Sequence, residues 1–316
     1  MFFIVNPSSA NGRTLKAWKS VLLPMLENVD FDSSFTEKRN HATEIAAEKI
    51  NGGENLIVAV GGDGTFNEVL NGFFNNGRII NDQCVLGLIS SGTGSDTIRT
   101  MGHSADLKSQ MKIILEGTTK KTDVGRAAFV DFEGKRTTRF FLNVADAGLG
   151  GDVVDRVNRT TKILGGKFSF LLGSVKGVLH HEPVRTTIIF DDDEASKFEC
   201  PLNLIAAGNG RYFGGGMMIC PNAVNDDGLF DVVSICGAGR LRLLTRMNMI
   251  YRGEHLEMKE VTEHPRCRKL KIMSEKPVFL DLDGEQVGTT DMELEILPGI
   301  LQVKTVSQQS AQNQQS

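Results

Sequence analysis

Three stretches of small, hydrogen-bonding residues each follow an apolar run near the start of the chain. Asn6-Pro7-Ser8-Ser9-Ala10-Asn11-Gly12 follows Phe2 to Val5, Gly61-Gly62-Asp63-Gly64-Thr65 follows Leu56 to Val60, and Ser90-Ser91-Gly92-Thr93-Gly94-Ser95-Asp96 follows Val85 to Ile89. Glycine in such a turn lets backbone N–H groups approach an anionic ligand, and a helix beginning there adds a favourable dipole. The central stretch carries the strongest signal. Thr65 and Glu68 have capping-box spacing and Val69, Leu70 and Phe73 form an apolar face, so a helix is predicted whose N-terminus faces the glycine turn. Asp63 sits inside that turn, where a carboxylate repels a polyphosphate unless a cation lies between them, and magnesium is the natural mediator. Its plainer reading is a cap on a helix or tight turn.

A second group of acids lies far downstream. Asp281, Asp283 and Glu285 alternate along Val278 to Val287; on one continuous strand they would share a face, opposite Leu280 and Leu282. The competing reading is a solvated strand ending in an Asp-Gly turn. Asp226 and Asp227 before Gly228 mark another turn. Other chemistries lack their patterns. Gly92 to Thr97 has the first two glycines of a dinucleotide fingerprint but Thr97 in place of the closing Gly or Ala, and GxxxxGK[ST] does not occur. The six histidines form no HExxH pattern and read as structural or surface residues.

The elements that position these residues follow from periodicity. Up to about Asp123, apolar runs alternate with helical segments (Leu15 to Leu26, Phe66 to Phe74, Thr97 onward), which predicts parallel strands joined by crossover helices. Beyond Asp123 the segments TRFFLNV, VRTTIIF, NLIAA, LFDVVSI, LKIM, VFLDL and LEIL with LQVKTV read as strands of a β-sandwich. Two helices interrupt them. One is amphipathic, carrying Leu164, Phe168, Leu171, Val175 and Val178; the other runs from Gly239 to Glu257. The Gln-rich tail, 307–316, reads as disordered.

Composition narrows the class. The chain of 316 residues is 40% hydrophobic and carries a formal charge of -4 with mixed signs, which suits a folded protein and argues against a nucleic-acid partner. Five cysteines, odd in number and without a CxxC pair, suggest a reducing compartment. Phe2 to Val5 has no basic lead and no long apolar continuation, so neither a secretory signal nor a transmembrane segment is expected.

Together, NPSSANG, GGDGTFNEV and SGTGSD resemble the catalytic domain shared by diacylglycerol, sphingosine and ceramide kinases and the YegS-type bacterial lipid kinases. The resemblance continues through RFFLNVADAGLGGDVV, NGRYFGGGMMICPNAVNDDGLFDVV and LDLDGEQVG, nearly the whole chain. It implies an α/β nucleotide-binding domain like that of NAD kinase over 1–124, a β-sandwich over 125–291, a last strand at 292–306 returning to the first domain, and an active site in the cleft between them. It implies an ATP- and magnesium-dependent transfer of the γ-phosphate to a lipid hydroxyl, with diacylglycerol the first choice. Sphingoid bases, ceramide-like lipids, monoacylglycerol and phosphatidylglycerol stay open as acceptors. The implied setting is cytoplasmic with transient contact at the membrane surface, and a homodimer is compatible with it.

By the same resemblance, Asn6, Pro7, Ser8, Ser9, Ala10, Thr36, Gly61, Gly62, Asp63, Gly64, Thr65, Phe66, Asn67, Gly92 and Thr93 correspond to nucleotide contacts. Glu285 corresponds to the general base. Asp227, with the backbone carbonyls of Val224 and Leu229, corresponds to a structural magnesium site. Asp63, Asp96, Asp123 and Asp283 correspond to acids that order magnesium and water near the phosphates. Ser90 and Ser95 stand where the family usually has proline and asparagine, and Ala10 where glycine is frequent. Two other readings remain: an NAD kinase-like enzyme, although no TGSTAY-like loop is present, and a catalytically idle nucleotide or lipid sensor on the same fold.

Overall fold

A computed structural model describes residues 1–91, 95–150 and 177–306. The chain divides into two compact units, one formed by Met1–Thr122 with Gly299–Ser316, the other by Asp123–Pro298.

The first unit is a parallel α/β layer. Its strands are β1 (Phe2–Val5), β2 (Asp32–Phe35), β3 (Leu56–Gly61) and β4 (Val85–Ser90). They lie in the order β2-β1-β3-β4, with Ile4 beside Ala59 and Ala59 beside Leu88. Uninterrupted apolar runs build β1, β3 and β4 because a parallel sheet is covered on both faces; β2 is the polar, largely exposed edge. Helices α1 (Arg13–Ala17), α2 (His41–Asn51), α3 (Asp63–Gly72), α4 (Asp96–Thr100) and α5 (Leu107–Glu116) fill the connections. Phe3 and Trp18 meet at 5.3 Å in the core beneath β1. Gly72 allows α2 and α3 to touch: a Cβ there would lie 2.6 Å from the Thr43 carbonyl oxygen.

The continuous helix expected from Leu15 to Leu26 is broken. After α1 the chain winds as a π-turn over Trp18–Leu22 and a 3-10 turn over Leu23–Leu26, where Pro24 cannot donate to a regular helical ladder. The capping box expected from Thr65 and Glu68 is also not formed. Extended Gly62 lets α3 begin at Asp63, so Thr65 already lies inside the first turn, and Glu68 accepts instead from Asn40 N (2.9 Å) and Ala42 N (3.3 Å) at the start of α2.

The second unit is antiparallel and sandwich-like. It contains most of β5 (Thr118–Val130), then β6 (Arg136–Phe141), β7 (Val144–Gly148), β8 (Val184–Phe190), β9 (Asp193–Gly208), β10 (Asp231–Cys236), β11 (Val261–Glu263), β12 (Lys269–Ser274) and β13 (Phe279–Leu282). β14 (Glu285–Thr305) is a strand of 21 residues whose last part belongs to the first unit, pairing Gln302 with Val85 and Val303 with Leu86 in parallel. β9 pairs with β8, β10 and β7, while β13 joins β7 to β14. The interior is built from alternate residues of these strands, with Phe141 stacked on Phe230 at 5.8 Å.

Helix α6 (Arg240–Arg252) stops where Gly253 takes φ 73°, and Glu254–Glu257 continues only as a 3-10 turn. The amphipathic helix expected around Leu164 lies outside the described residues except for Val178, which is buried; the tail after Val306 lies outside them too. Cys200 and Cys236, on adjacent β9 and β10, are joined as a disulfide with Cα atoms 5.9 Å apart, whereas Cys84, Cys220 and Cys267 are buried and free. A separation of 36 residues in sequence does not reveal that strand pairing.

Candidate active site

In the first unit, the loops after β1, β3 and β4 are tied together by their own polar side chains. Asn6 does most of this. Its Oδ1 accepts from Ser8 N (3.1 Å) and Ser9 N (3.2 Å), closing the first loop into a turn, while its Nδ2 donates to Thr65 Oγ1 (3.0 Å) in the second. Thr65 folds back over the end of β3, and a Cβ on Gly61 would collide with it; this close approach requires glycine there. Thr36 continues the edge beside β1 by donating its N–H to Val5 O (2.9 Å). Ser91 N donates to Gly61 O (3.0 Å), and Thr14 and Ser91 share a short hydroxyl contact that joins the first and third loops.

Asp63 joins the second loop to the third. Its Oδ1 accepts from Thr97 N at 3.0 Å and its Oδ2 from Asp96 N at 3.3 Å, so the carboxylate caps the start of α4. The capping alternative for Asp63 is therefore realised at a neighbouring helix rather than its own. Asp96 accepts from Arg99 Nη1 (3.0 Å). Ser90 and Ser95 meet through their hydroxyls at 2.8 Å, and Ser95 adopts a left-handed conformation, φ 53°. Ala10 and Asn11 are left-handed as well, at φ 53° and 56°. Phe66 and Asn67 are buried below the turn, at 1% exposure each, so they support the loop from beneath. Gly92 and Thr93 lie outside the described residues.

In the second unit the downstream acids do not share one strand face. β13 ends at Leu282, Asp283 and Gly284 form a two-residue turn at φ 53° and 88°, and Glu285 opens β14 opposite Leu282. Both turn residues lie at positive φ, which the tight hairpin requires and Asp-Gly supplies. The turn is anchored from both sides. Asp283 accepts from Leu142 N (2.9 Å), Asn143 N (2.8 Å) and Val144 N (3.2 Å), and its own N–H donates to Val144 O (3.0 Å). Asp281 Oδ1 accepts from Gly284 N at 2.7 Å. The half-buried Glu285 thus sits beside a turn held by two carboxylates.

Asp281 has a neighbour that sequence reasoning missed. It pairs in register with Asp146 on β7; the two are 3% and 1% exposed, and Asp146 Oδ1 and Asp281 Oδ2 lack hydrogen-bond partners among the described residues. Burial pushes the Asp281 carboxyl up to about 7, with the Gly284 N–H opposing and the Glu285 and Asp283 charges adding to the rise. Burial, then the Asp281 charge, holds Asp146 well above the usual carboxylate range. Carboxyls raised in the folded state bind more protons there than in the unfolded chain, so stability falls as pH climbs from the ordinary carboxylate range through about 7. Urea midpoints are expected to be lower at about pH 8 than at about pH 5, with a flatter dependence in Asp281→Asn. An unchanged slope in that variant would remove Asp281 from the effect.

Two buried asparagines were also missed. Asn209 Nδ2 donates to Asp123 O (2.9 Å) and Leu142 O (2.7 Å), and Asn143 O accepts from Asn209 N and Gly210 N. A lone asparagine inside an apolar run, as Asn143 in FFLNVA, is the signal that could have marked such a backbone clamp. Asp123, 1% exposed, accepts from Gly228 N at 2.7 Å.

Asp227, expected to hold a structural magnesium with the Val224 and Leu229 carbonyls, is engaged by protein donors in this structure. Asp227 Oδ1 accepts from Leu229 N (3.1 Å) and Oδ2 from Arg266 Nη1 (2.8 Å), so its charge is already met by a guanidinium. Among the described residues, no three His, Cys, Asp or Glu side chains are grouped to hold a metal.

Parallel α/β loops gathered at the carboxyl ends of β1, β3 and β4 suit the binding of a phosphate-bearing ligand. The model of the diacylglycerol kinase catalytic domain matches residues 1–127 and that of the YegS C-terminal NAD kinase beta sandwich-like domain matches residues 143–305, more than half of the chain; the chain belongs to the YegS-type lipid kinase family. It is 29% identical over 287 residues to a diacylglycerol kinase of Staphylococcus saprophyticus, covering 90% of this chain and 88% of that one. With a diacylglycerol kinase of Mycobacterium tuberculosis it shares 26% over 308 residues, 95% and 93% of the two chains. A crystal structure from Bacillus anthracis str. Sterne, of a protein assigned as a diacylglycerol kinase, matches with TM-score 0.73 at 25% identity over 96% of each chain.

Proposed function

We propose that this protein is a lipid kinase that transfers the γ-phosphate of magnesium-ATP to the hydroxyl of diacylglycerol, giving ADP and phosphatidate. The observation that carries the reading is the knot of three phosphate-type loops around Asn6, Thr65 and Asp63, on a chain whose family acts on lipids.

Phosphoryl transfer depends on positioning and on neutralising charge spread over the transferred group. In this reading the first-turn N–H groups of α3, at the Gly62-Gly64 turn, hold the nucleotide, with Asn6, Pro7, Ser8, Ser9, Ala10, Thr36, Gly61, Thr65, Gly92 and Thr93 completing its surroundings. Magnesium arrives as part of the substrate. Asp63 fixes the third loop against the second, and Asp96 and Asp123 support the surrounding backbone. Glu285 takes the acceptor's proton, and Asp283 holds the turn that presents it.

A diacylglycerol acceptor requires the enzyme to work at a bilayer surface. No helix among the described residues is long and apolar enough to cross a membrane. The test is incubation with terminally labelled ATP, magnesium and mixed vesicles containing diacylglycerol, with NAD in a parallel reaction. Labelled phosphatidate is the expected product. Label on another lipid would move the acceptor, label on NAD would make the enzyme an NAD kinase, and nucleotide binding without transfer would leave an idle sensor.

A further inference from the structure

The backbone places one arginine where three oxygens converge. Phe230 and Cys267 form an antiparallel bridge, Phe230 N donating to Cys267 O at 2.8 Å, and this sets the preceding Arg266 beside the turn that runs from Asn222 to Asp231. The guanidinium then divides its donors. Nη1 meets Asp227 Oδ2 at 2.8 Å, Nη2 donates to Asn222 O at 2.7 Å, and Nε lies 3.1 Å from Asp231 Oδ2 as an ion pair without hydrogen-bond alignment.

Two carboxylates and a backbone carbonyl are the kind of hard-oxygen set that divalent cations favour. Here the set closes on a fixed side-chain cation whose planar fork reaches all three oxygens, which a lysine ammonium could not do together. The need for positive charge is real: Asp231 is 3% exposed and its Oδ2 has no hydrogen-bond donor. Burial raises the Asp231 carboxyl, and the Arg266 charge works against that rise. The same turn presents Gly228 N to Asp123, so whatever holds the turn also holds that acid.

We propose that Arg266 is a built-in cation for the 222–231 turn, taking the place of a bound divalent ion, and that this turn and its grip on Asp123 are independent of metal.

Melting temperatures test this without any kinase assay, so the outcome stands apart from the proposed activity. Wild type and Arg266→Ala would be unfolded in excess chelator and again with magnesium chloride or calcium chloride as the sole added divalent salt. Wild type is expected to melt at the same temperature in all three. Arg266→Ala is expected to melt about 5–10 °C lower in chelator, because two carboxylates lose their cation. It should then recover part of that loss with either salt, since the vacated oxygens can bind a divalent ion. Arg266→Lys serves if alanine does not fold: its ammonium reaches fewer oxygens, and the proposal expects a smaller loss with no response to salt. A wild type destabilised by chelator, or an Arg266→Ala protein no more responsive to cations than wild type, would overturn the proposal. So would an Arg266→Lys protein that needs divalent salt to match wild type.

Discussion

Glu285→Gln is expected to slow phosphoryl transfer by roughly 10²–10⁴-fold, the usual worth of a positioned general base, with nucleotide affinity and melting temperature close to wild type. Glutamine keeps the shape of the side chain and removes its ability to take a proton. The surrounding geometry favours a clean result. The hairpin before Glu285 is held by three N–H groups donating to Asp283 and by Gly284 N donating to Asp281, and none of these contacts involves the Glu285 carboxylate. The measurement is single-turnover transfer from magnesium-ATP, so that product release does not mask chemistry. A rate within about threefold of wild type would remove Glu285 as the base, and a loose transition state would then need none.

Asp63→Ala should be the more damaging change, because it removes charge and architecture together. Its carboxylate caps the Asp96 and Thr97 N–H groups, and without it the start of α4 loses its side-chain tie to the glycine turn, leaving the backbone contact from Ser91 N to Gly61 O. We expect activity to fall by roughly 10³-fold or more, consistent with losing a preorganised electrostatic group, and stability to fall by about 1–2 kcal/mol, the usual worth of a cap. Asp63→Asn separates the two effects. One amide oxygen can still accept from Thr97 N, so melting should recover towards wild type while magnesium-dependent ATP binding, followed by calorimetry, stays weak. If Asp63→Asn binds magnesium-ATP as wild type does, Asp63 acts only through the loop it caps.

The parts of the fold that could be read from sequence were those fixed by neighbours along the chain. Uninterrupted apolar runs announced β1, β3 and β4, and period-two segments announced most strands of the second unit, because burial on two faces or one leaves those patterns directly. Features fixed by distant partners left no such trace. Glu68 has the spacing of a local cap, yet its acceptor oxygens serve Asn40 and Ala42, 28 and 26 residues away. For Asp281, Asp283 and Glu285 the sequence left a shared strand face and an Asp-Gly turn both open, and the turn is what forms. Arg266 was hidden for the same reason, since only the Phe230–Cys267 bridge brings it to Asp227 and Asp231.

The final strand carries a consequence for how the protein is made. β4 is flanked on one side by β3 and on the other by the closing stretch of β14, and the contact from Gln302 Nε2 to Asp82 O at that seam spans 220 residues of sequence. On a ribosome, the strands that make up the rest of this parallel sheet emerge early, while the one that completes it emerges after the whole sandwich has been translated. Until then β4 has one open, apolar flank, the kind of edge that recruits foreign strands. Closure across so long a stretch is also entropically slow, which predisposes the nascent chain to dependence on chaperones during synthesis even if the finished fold is stable.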